Sequence, residues 1–275
     1  MNIESALKKA KEELKFVPDR DVDAAWIVCF VTGLSRGELR FRGNEELTHE
    51  QESRLDALLA RRKQREPLQY IFGTVPFYNI ELKCDSRALI PRDETACMAE
   101  EAIKIIKENN FASVLDLCTG SGAIAAAIKY NCPEVSVSAS DISPDALALA
   151  KENAKNLNCD IEFFQGDLFA PLKGKNFDLI ISNPPYIATK DMEKLERELS
   201  FEPQCALDGG ADGLDFYRDI AVEAREHINK NGVLIMEIGF DEGDAIKAIL
   251  ARAGWGNIKC EKDYAGLDRV ISCTF

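Results

Sequence analysis

Four consecutive residues, Asn183-Pro184-Pro185-Tyr186, combine groups that can bind a planar amine. The asparagine side chain offers one oxygen acceptor and two N–H donors. A residue that precedes a proline is pushed toward an extended conformation, so its carbonyl can point into a cleft. The tyrosine adds a flat ring. This set suits an –NH2 group, either an amide or the exocyclic amine of a nucleic-acid base. A proline-rich turn that only closes a strand is the plainer alternative.

The residues before this motif place it at the end of a strand. The apolar run Phe177–Ser182 predicts a buried parallel strand. Prolines end such a strand because they fix φ and have no N–H to donate. Open α/β sheets bind ligands at the carboxyl ends of their strands. We therefore expect residues 183–186 to face a ligand-binding crevice.

A second candidate site follows the predicted strand Val114–Leu117. Glycines in that turn let the backbone approach a ligand closely, and the N–H groups at the start of the next helix face it. Asp141 ends the next predicted strand, 25 residues after Asp116, where an acid can bind both hydroxyls of a ribose. This half of the sheet is predicted to bind a nucleoside-containing cofactor. The residues of the turn are Cys118, Thr119, Gly120, Ser121, Gly122 and Ala123.

Two cofactor classes fit this turn. Gly120, Gly122 and Ala125 satisfy the dinucleotide fingerprint with its permitted final alanine, but that match is weak. A nicotinamide dehydrogenase would also need a substrate that accepts hydride and a proton-transfer group near it. No such group stands out, and the chain has only two histidines, His49 and His227.

S-adenosylmethionine matches the remaining residues better. Asp167 and Leu168 follow the third predicted strand, where the acid can bind the adenine amine and the leucine can cover the adenine face. Asp116 could lie near the methionine ammonium group. Asp141 and Asp167 could instead be ordinary helix caps. Together with the Asn-Pro-Pro-Tyr turn, however, these residues favour methyl transfer.

The elements that must position these groups divide the chain into three parts. Residues 1–72 show helical spacing only, which predicts a small all-helical domain, either a packing cap or a substrate-recognition domain. Residues 73–92 alternate in polarity and predict a β-hairpin linker. Strands and helices alternate through the methyltransferase domain, residues 93–275, which predicts an α/β fold with a doubly wound, mostly parallel sheet. One of the helices is expected around 192–199.

Composition and charge exclude several classes of function. No apolar run is long enough to span a membrane, and the first residues lack the pattern of a signal peptide, so we expect a cytoplasmic protein. The nine cysteines show no paired spacing, so we expect no metal site. Residues 1–72 hold 13 basic and 13 acidic residues, which leaves 21 basic and 34 acidic residues in the rest. This acidic excess argues against direct binding of nucleic acid.

Over nearly its whole length the sequence resembles the peptide chain release factor N5-glutamine methyltransferases, the HemK/PrmC family. The stretches that carry the resemblance are 67–73, 89–92, 114–125, 183–187, 202–203, 206–210, 213–217, 237–239 and 265–269. The Asn-Pro-Pro-Tyr turn alone is shared with adenine-N6 DNA methyltransferases. Its combination with a helical N-terminal domain is far more specific.

The resemblance implies a class I methyltransferase fold, S-adenosylmethionine as cofactor, and S-adenosylhomocysteine as product. The substrate would be the glutamine in the Gly-Gly-Gln loop of a release factor, methylated on its side-chain amide nitrogen. The cofactor would lie along Cys118–Ala123, Asp141, Leu168 and Asn183, and the glutamine would lie against residues 183–186. The helical domain would grip the release factor. We expect a monomer that contacts neither membrane nor nucleic acid.

Two positions depart from the family pattern. Cys118 stands where the family usually has glycine, and Ala96 replaces the last acid of the family's Pro-Arg-Pro-Glu-Thr-Glu motif. An adenine-N6 nucleic-acid methyltransferase and a catalytically silent protein that only binds the cofactor remain as alternatives. For the transferase, we hypothesise that the Asn183 oxygen and the Pro184 carbonyl accept the substrate N–H bonds while Tyr186 holds the amide plane.

Overall fold

The structure is a computed structural model that describes residues 1–263 and 265–275. These residues divide into two compact units. One unit contains Met1–Gly73 together with Arg197–Phe201, and the other contains Thr74–Glu196 together with Glu202–Phe275. In the described part of the chain, no helix has the length and apolar character needed to cross a lipid bilayer.

The first unit is helical, as the sequence predicts. Asn2 caps the first helix, and Thr48 with Gln51 forms the expected capping box of the fourth. Two short helices were not predicted, one of which begins at a second capping box, Ser35 with Glu38. The apolar faces meet in one buried cluster. The helices are α1 (Ile3–Glu13), α2 (Arg20–Thr32), α3 (Arg36–Phe41), α4 (His49–Lys63) and α5 (Leu68–Phe72).

Ion pairs attach the segment 197–201 to this helical unit. The buried guanidinium of Arg62 donates to Asp23 at 2.6 Å and to Glu198 at 2.9 Å. Arg65 binds both oxygens of the same Glu198 carboxylate at 2.5 Å. A buried charge is tolerated when it is paired and hydrogen-bonded, so Glu198 fits here because two arginines meet it.

The second unit begins with the predicted hairpin. Strands β1 (Thr74–Phe77) and β2 (Ile80–Lys83) pair antiparallel around a tight turn in which Tyr78 has a φ of 51°. The helix α6 (Asp93–Asn109) follows after a loop.

In the described residues, seven strands of the second unit form one sheet in the order β5-β4-β3-β6-β7-β9-β8. The pairs from β5 to β7 are parallel, and β9 runs antiparallel to both of its neighbours. The strands are β3 (Ser113–Leu117), β4 (Ser136–Asp141), β5 (Ile161–Gln165), β6 (Phe177–Ser182), β7 (Ile228–Glu237), β8 (Gly256–Lys262) and β9 (Asp268–Thr274). The helices between them are α7 (Ala123–Asn131), α8 (Pro144–Asn156), α9 (Asp215–His227) and α10 (Gly243–Arg252).

The strand order reverses between β3 and β6. Because right-handed crossovers run in opposite directions from this point, the helices of the two halves cover opposite faces of the sheet. Helices α9 and α10 bury one apolar cluster against it. The prediction of a doubly wound, mostly parallel sheet with an all-helical N-terminal part and a β-hairpin is confirmed. A reversal of this kind opens a crevice at the carboxyl ends of the two central strands.

The prediction of a helix around residues 192–199 is wrong. This stretch forms 3-10 turns at Thr189–Lys194 and Arg197–Phe201 instead. Its residues favour a helix locally, but Glu198 forms ion pairs with Arg62 and Arg65 at that point. Helix propensities of ordinary residues differ by only about 0–0.7 kcal/mol per residue, so these tertiary contacts override them.

Candidate active site

A pocket of about 360 Å³ opens at the carboxyl ends of β3, β4 and β6. It is lined by residues from both candidate turns, since Gly120, Asp141 and Asn183 all face it. The predicted site residues that line it are Cys118, Thr119, Gly120, Ser121, Ala123, Asp141, Asp167, Leu168, Asn183 and Pro185. Among the described residues, Gly122, Pro184 and Tyr186 are predicted site residues that do not belong to this lining.

The glycine-rich turn brings main-chain atoms to the pocket. Gly120 has a φ of 55°, and a Cβ built on it would meet nothing within 4 Å, so the backbone there borders open space. Gly122 serves packing instead, because its Cβ would lie 2.9 Å from that of Ala150 in α8. Cys118 also adopts a left-handed φ of 60°. A glycine, which the family usually has at this position, would adopt this conformation without strain. The cysteine therefore adds backbone strain to the turn.

Asp141 holds this turn in place. Its carboxylate accepts the Gly120 N–H at 2.8 Å and the Ser143 N–H at 2.9 Å. Burial raises the pKa of Asp141, and these backbone donors oppose the rise. Each carboxylate oxygen has a second lone pair, so Asp141 can fix the turn and still accept hydroxyls from a ligand.

Asp116 supports the same turn from within the protein. It is fully buried and accepts the Thr119 hydroxyl at 2.5 Å and the Ala125 N–H at 3.0 Å, so it caps α7 from inside. Burial raises its pKa to about 7. Asp116 is not part of the described pocket lining. It therefore supports the turn from below.

Another part of the pocket lining is apolar with one acidic residue. Asp167 and Leu168 line it as predicted, and Leu168 has a φ of 40°, a strained conformation for a branched residue. Ile142 also lines the pocket although its side chain is 58% exposed, and sequence reasoning missed it. A large apolar side chain directly after the strand-ending Asp141 was the available signal.

Asn183 is held by residues far away in the sequence. Its Nδ2 donates to the Thr95 hydroxyl at 3.2 Å, and that hydroxyl donates to Glu237 Oε2 at 2.6 Å. Thr95 and Glu237 are 4% and 2% exposed. Burial raises the pKa of Glu237 to about 7, against the hydrogen bond from Thr95. Neither residue was predicted as part of the site, although both lie in stretches that carried the family resemblance or bordered it.

A glycine-containing loop braces the rest of the motif. Ile187 N–H donates to the Leu207 carbonyl at 2.9 Å, and Gly209 N–H returns a bond to the Ile187 carbonyl at 2.8 Å. A Cβ on Gly209 would lie 2.7 Å from the Tyr186 Cα, and one on Gly213 would lie 2.5 Å from the Tyr186 carbonyl. The loop can approach this closely only because both residues lack side chains.

Tyr186 faces the protein interior more than the pocket. Its ring packs against the apolar cluster beneath α9 and α10. Burial raises the pKa of Tyr186 to about 12, so the phenol remains neutral at physiological pH. Pro184 and Pro185 are buried beside it. The ring therefore anchors the end of the motif.

A buried acid fixes the rim formed by the loop before α6. Glu202 accepts the Ile90 N–H at 2.9 Å and the Arg92 guanidinium at 2.5 Å. This places Arg92 and Pro203 in the pocket lining. Arg92 to Glu202 is a charge-assisted hydrogen bond, which is stronger than a neutral one and keeps this rim rigid.

The lining suits S-adenosylmethionine. Asp141 can accept ribose hydroxyls, the open space beside Gly120 admits a close ligand, and Ile142 and Leu168 offer apolar cover for a base. The described lining holds three carboxylates against two guanidinium groups, those of Arg87 and Arg92, and this small acidic excess favours a ligand that carries a positive charge over one that carries a pyrophosphate. The described carboxylates of the lining are Asp141, Asp167 and Asp208.

Family models match two parts of this chain. The family model described as "Methyltransferase small domain" matches residues 99–201, and the one described as "PrmC N-terminal domain" matches residues 5–73. A crystal structure of a methyltransferase from Pyrococcus furiosus is similar, with a TM-score of 0.53 at 17% identity over 82% of this chain and 98% of that one. At this identity the similarity concerns the fold alone.

Sequence relatives are much closer. The release factor glutamine methyltransferase of Geobacter sulfurreducens is 39% identical over 258 residues, which cover 94% of this chain and 90% of the relative. The protein of the same name from Thermodesulfovibrio yellowstonii is 40% identical over 270 residues, covering 97% and 96% of the two chains. With this level of identity along nearly its full length, the chain belongs to the release factor glutamine methyltransferase family.

Proposed function

We propose that this chain transfers a methyl group from S-adenosylmethionine to the side-chain amide nitrogen of the glutamine in the Gly-Gly-Gln loop of peptide chain release factors. The observation that carries the proposal is that Asn183 lines the same pocket as Gly120 and Asp141. An amide acceptor and a nucleoside-binding turn then meet in one cavity. The relatives that share the family act on release factors by name, which supports this substrate.

The cofactor would be held by the turn Cys118–Ala123, by Asp141 at the ribose, and by Asp167, Leu168 and Ile142 around the adenine. When bound, S-adenosylmethionine supplies an electrophilic methyl group on a sulfonium sulfur. Gly120 keeps the backbone close to the cofactor because no side chain intervenes there. Asp141 binds in a preformed position, since two backbone N–H groups already orient its carboxylate.

The substrate amide would be oriented by the Asn-Pro-Pro-Tyr turn. An amide nitrogen is a poor nucleophile because its lone pair is delocalised into the carbonyl. The Asn183 oxygen and the Pro184 carbonyl accept hydrogen bonds from its two N–H groups. These bonds aim the nitrogen at the methyl group and stabilise the positive charge that develops on the nitrogen. Most of the rate enhancement then comes from positioning, and one N–H proton leaves to solvent after transfer.

Tyr186 has a supporting part in this proposal. Its ring packs into the interior, and its backbone is clamped by Gly209 and Gly213. It therefore fixes the end of the turn, so that Asn183 and Pro184 stay in place as acceptors. Pro185 lines the pocket beside them and supplies an apolar surface for the glutamine side chain.

We assign recognition of the release factor to the helical domain, residues 1–72, joined by the hairpin linker 73–92 to the methyltransferase domain 93–275. The helical domain presents exposed aromatic side chains at Phe16 and Phe41, which are suitable for contact with a protein partner. We propose that the chain works as a monomer in the cytoplasm, where translation ends, and does not bind nucleic acid directly. Its acidic balance supports the last point.

Mass spectrometry tests the proposal. Purified protein is incubated with S-adenosylmethionine and a release factor, and the tryptic peptide that contains the Gly-Gly-Gln loop is analysed. We expect this peptide to gain one methyl group on the glutamine, and a release factor with asparagine in place of that glutamine to gain none. Methyl transfer to DNA or RNA without transfer to the peptide would contradict the proposal.

A further inference from the structure

A chain of two hydrogen bonds connects the candidate acceptor to the protein interior. Asn183 Nδ2 donates to Thr95 Oγ1 at 3.2 Å, and Thr95 Oγ1 donates to Glu237 Oε2 at 2.6 Å. We propose that Thr95 and Glu237 are positioning residues that decide which end of the Asn183 amide faces the substrate. This inference rests on the proposed function, because it concerns the orientation of the acceptor in that reaction.

The donor and the acceptor in each of these two hydrogen bonds follow from the protons available. A threonine hydroxyl has a single proton, and here it is donated to the Glu237 carboxylate, which can only accept when ionised. The hydroxyl oxygen must then accept from its other neighbour. Asn183 satisfies this with Nδ2, so its amide oxygen is the atom turned away from Thr95. Without this constraint the two ends of the amide have nearly the same shape and could exchange.

The fold holds all three residues in place. Asn183 directly follows β6, and Glu237 ends the neighbouring strand β7, whose Met236 pairs with Ser182. Thr95 lies in the first turn of α6 and is 4% exposed. The Glu237 backbone carbonyl also accepts the buried Tyr217 hydroxyl at 2.8 Å. We call the hydrogen-bonded set Asn183, Thr95 and Glu237 the relay. It is held by two strands and two helices and does not depend on a mobile loop.

The charge on Glu237 sets the state of the relay. If the proton of neutral Glu237 is on Oε2, the oxygen that Thr95 contacts, it is donated to the Thr95 hydroxyl, and the threonine proton then turns toward Asn183. Two donors would face each other, so the amide must rotate and present Nδ2 to the substrate. An Nδ2 group cannot accept the substrate N–H bonds. Ionised Glu237 holds the productive orientation, whereas the form protonated on Oε2 loses it, so we expect kcat to fall as pH decreases through the pKa of Glu237.

The surroundings of Glu237 place this transition near neutrality. Burial raises the pKa of Glu237 to about 7, and the Thr95 hydrogen bond and the cations Arg269 and Arg92 oppose the rise. Glu94, at the start of α6, raises it further. The phenols of Tyr186 and Tyr217 also face this carboxylate, and both have raised pKa values, so they stay neutral in the same range.

Substitution of Thr95 tests the relay. Thr95→Val keeps the shape but removes the hydroxyl, whereas Thr95→Ser keeps the hydroxyl. We expect Thr95→Val to lower kcat by about tenfold, the value of one hydrogen bond of about 1.4 kcal/mol, with KM nearly unchanged. The fall in kcat near pH 7 should also be absent in this variant, since the charge of Glu237 no longer reaches Asn183. Thr95→Ser should restore both the rate and the pH profile.

Several outcomes would overturn the relay. Wild-type kcat in Thr95→Val would do so, and so would a pH profile that Thr95→Val leaves unchanged. A loss of activity in Thr95→Val that Thr95→Ser does not reverse would point to packing and also contradict the relay. In any of these cases, methyl transfer by the wild type would leave the proposed function intact.

A second measurement separates the relay from the proposed function. In 15N-labelled protein, the Asn183 side-chain amide is identified as the signal missing in Asn183→Asp. We expect one of its protons to exchange with solvent more slowly in the wild type than in Thr95→Val at pH 8, and the difference to shrink at pH 6. Equal exchange in both proteins at pH 8 would overturn the relay. This measurement needs no methyl transfer, so it decides the inference even if the release factor is not the substrate.

Discussion

The turn after β3 offers main-chain atoms to the pocket, whereas the turn after β6 offers a side chain. In the first turn, Gly120 borders open space, and Asp141 holds the backbone by accepting the Gly120 N–H. In the second, the Asn183 amide is oriented by Thr95, which lies 88 positions away in the sequence. A main-chain site needs small residues that leave its backbone accessible. A side-chain site needs partners that the fold brings in from elsewhere.

The two turns also differ in their support. The first rests on the N-terminus of α7, which Asp116 caps from within the sheet. The second is clamped by a loop in which Gly209 and Gly213 approach the Tyr186 backbone. Changes in the first turn should therefore affect cofactor binding, and changes in the second should affect turnover. This separation can be tested.

The largest effect is expected for Asn183→Ala. Removal of the acceptor should lower kcat by about 10²–10³-fold, as for the loss of one preorganised group that stabilises a transition state. The dissociation constant for S-adenosylmethionine, measured by calorimetry, should change little because the first turn is untouched. Asn176→Ala is a matched control, since Asn176 precedes the same strand and bonds only to the Glu226 carbonyl among the described residues. Wild-type turnover in Asn183→Ala would refute the mechanism.

A pair of glycine substitutions should separate the two turns. Gly209→Ala places a Cβ 2.7 Å from the Tyr186 Cα, so the Asn-Pro-Pro-Tyr turn must shift, at a cost to stability of about 1–3 kcal/mol. We expect kcat to fall more than tenfold, because catalysis is sensitive to displacements of about 1 Å in the groups that position the substrate. The affinity for the cofactor should be retained. Gly120→Ala should show the reverse pattern, because its Cβ would occupy the pocket.

Gly174→Ala is the control for this pair. Gly174 has a φ of 77° and open space around its Cβ, but it lies in the loop before β6 and outside the described pocket lining. It should reproduce the backbone strain of Gly120→Ala without its effect on cofactor affinity. If both variants weakened cofactor binding equally, strain and not the pocket would explain the effect.

The smallest effect is expected at Cys118. Its φ of 60° costs a non-glycine residue roughly 1–2 kcal/mol. Cys118→Ala keeps this strain, whereas Cys118→Gly removes it. Cys118→Gly should therefore be the more stable of the two variants by about 1 kcal/mol, after allowance for the larger entropy of its unfolded chain. Denaturant unfolding measures the difference. Equal stability would show that the turn accepts a Cβ without strain.

Local signals were sufficient for most of the fold and for the first turn. The alternation of apolar strands with helices predicted the sheet, and the glycines after β3 predicted a turn that borders the pocket, because these features depend on neighbours in the sequence. Ile142 was missed, although its position directly after the strand-ending Asp141 was a usable signal. The helix expected around 192–199 was wrong because Glu198 is bound by arginines from residues 62–65.

The sequence by itself determined that an asparagine follows one strand and a glycine-rich turn follows another. It also identified the family, through stretches spread along the whole chain. Only the tertiary structure decided that both turns line one pocket and that Asn183 is held by Thr95 and Glu237. The physical reason is that strand order and register set which strand ends are neighbours. Hydrogen bonds between residues so distant in the sequence exist only after the sheet has formed.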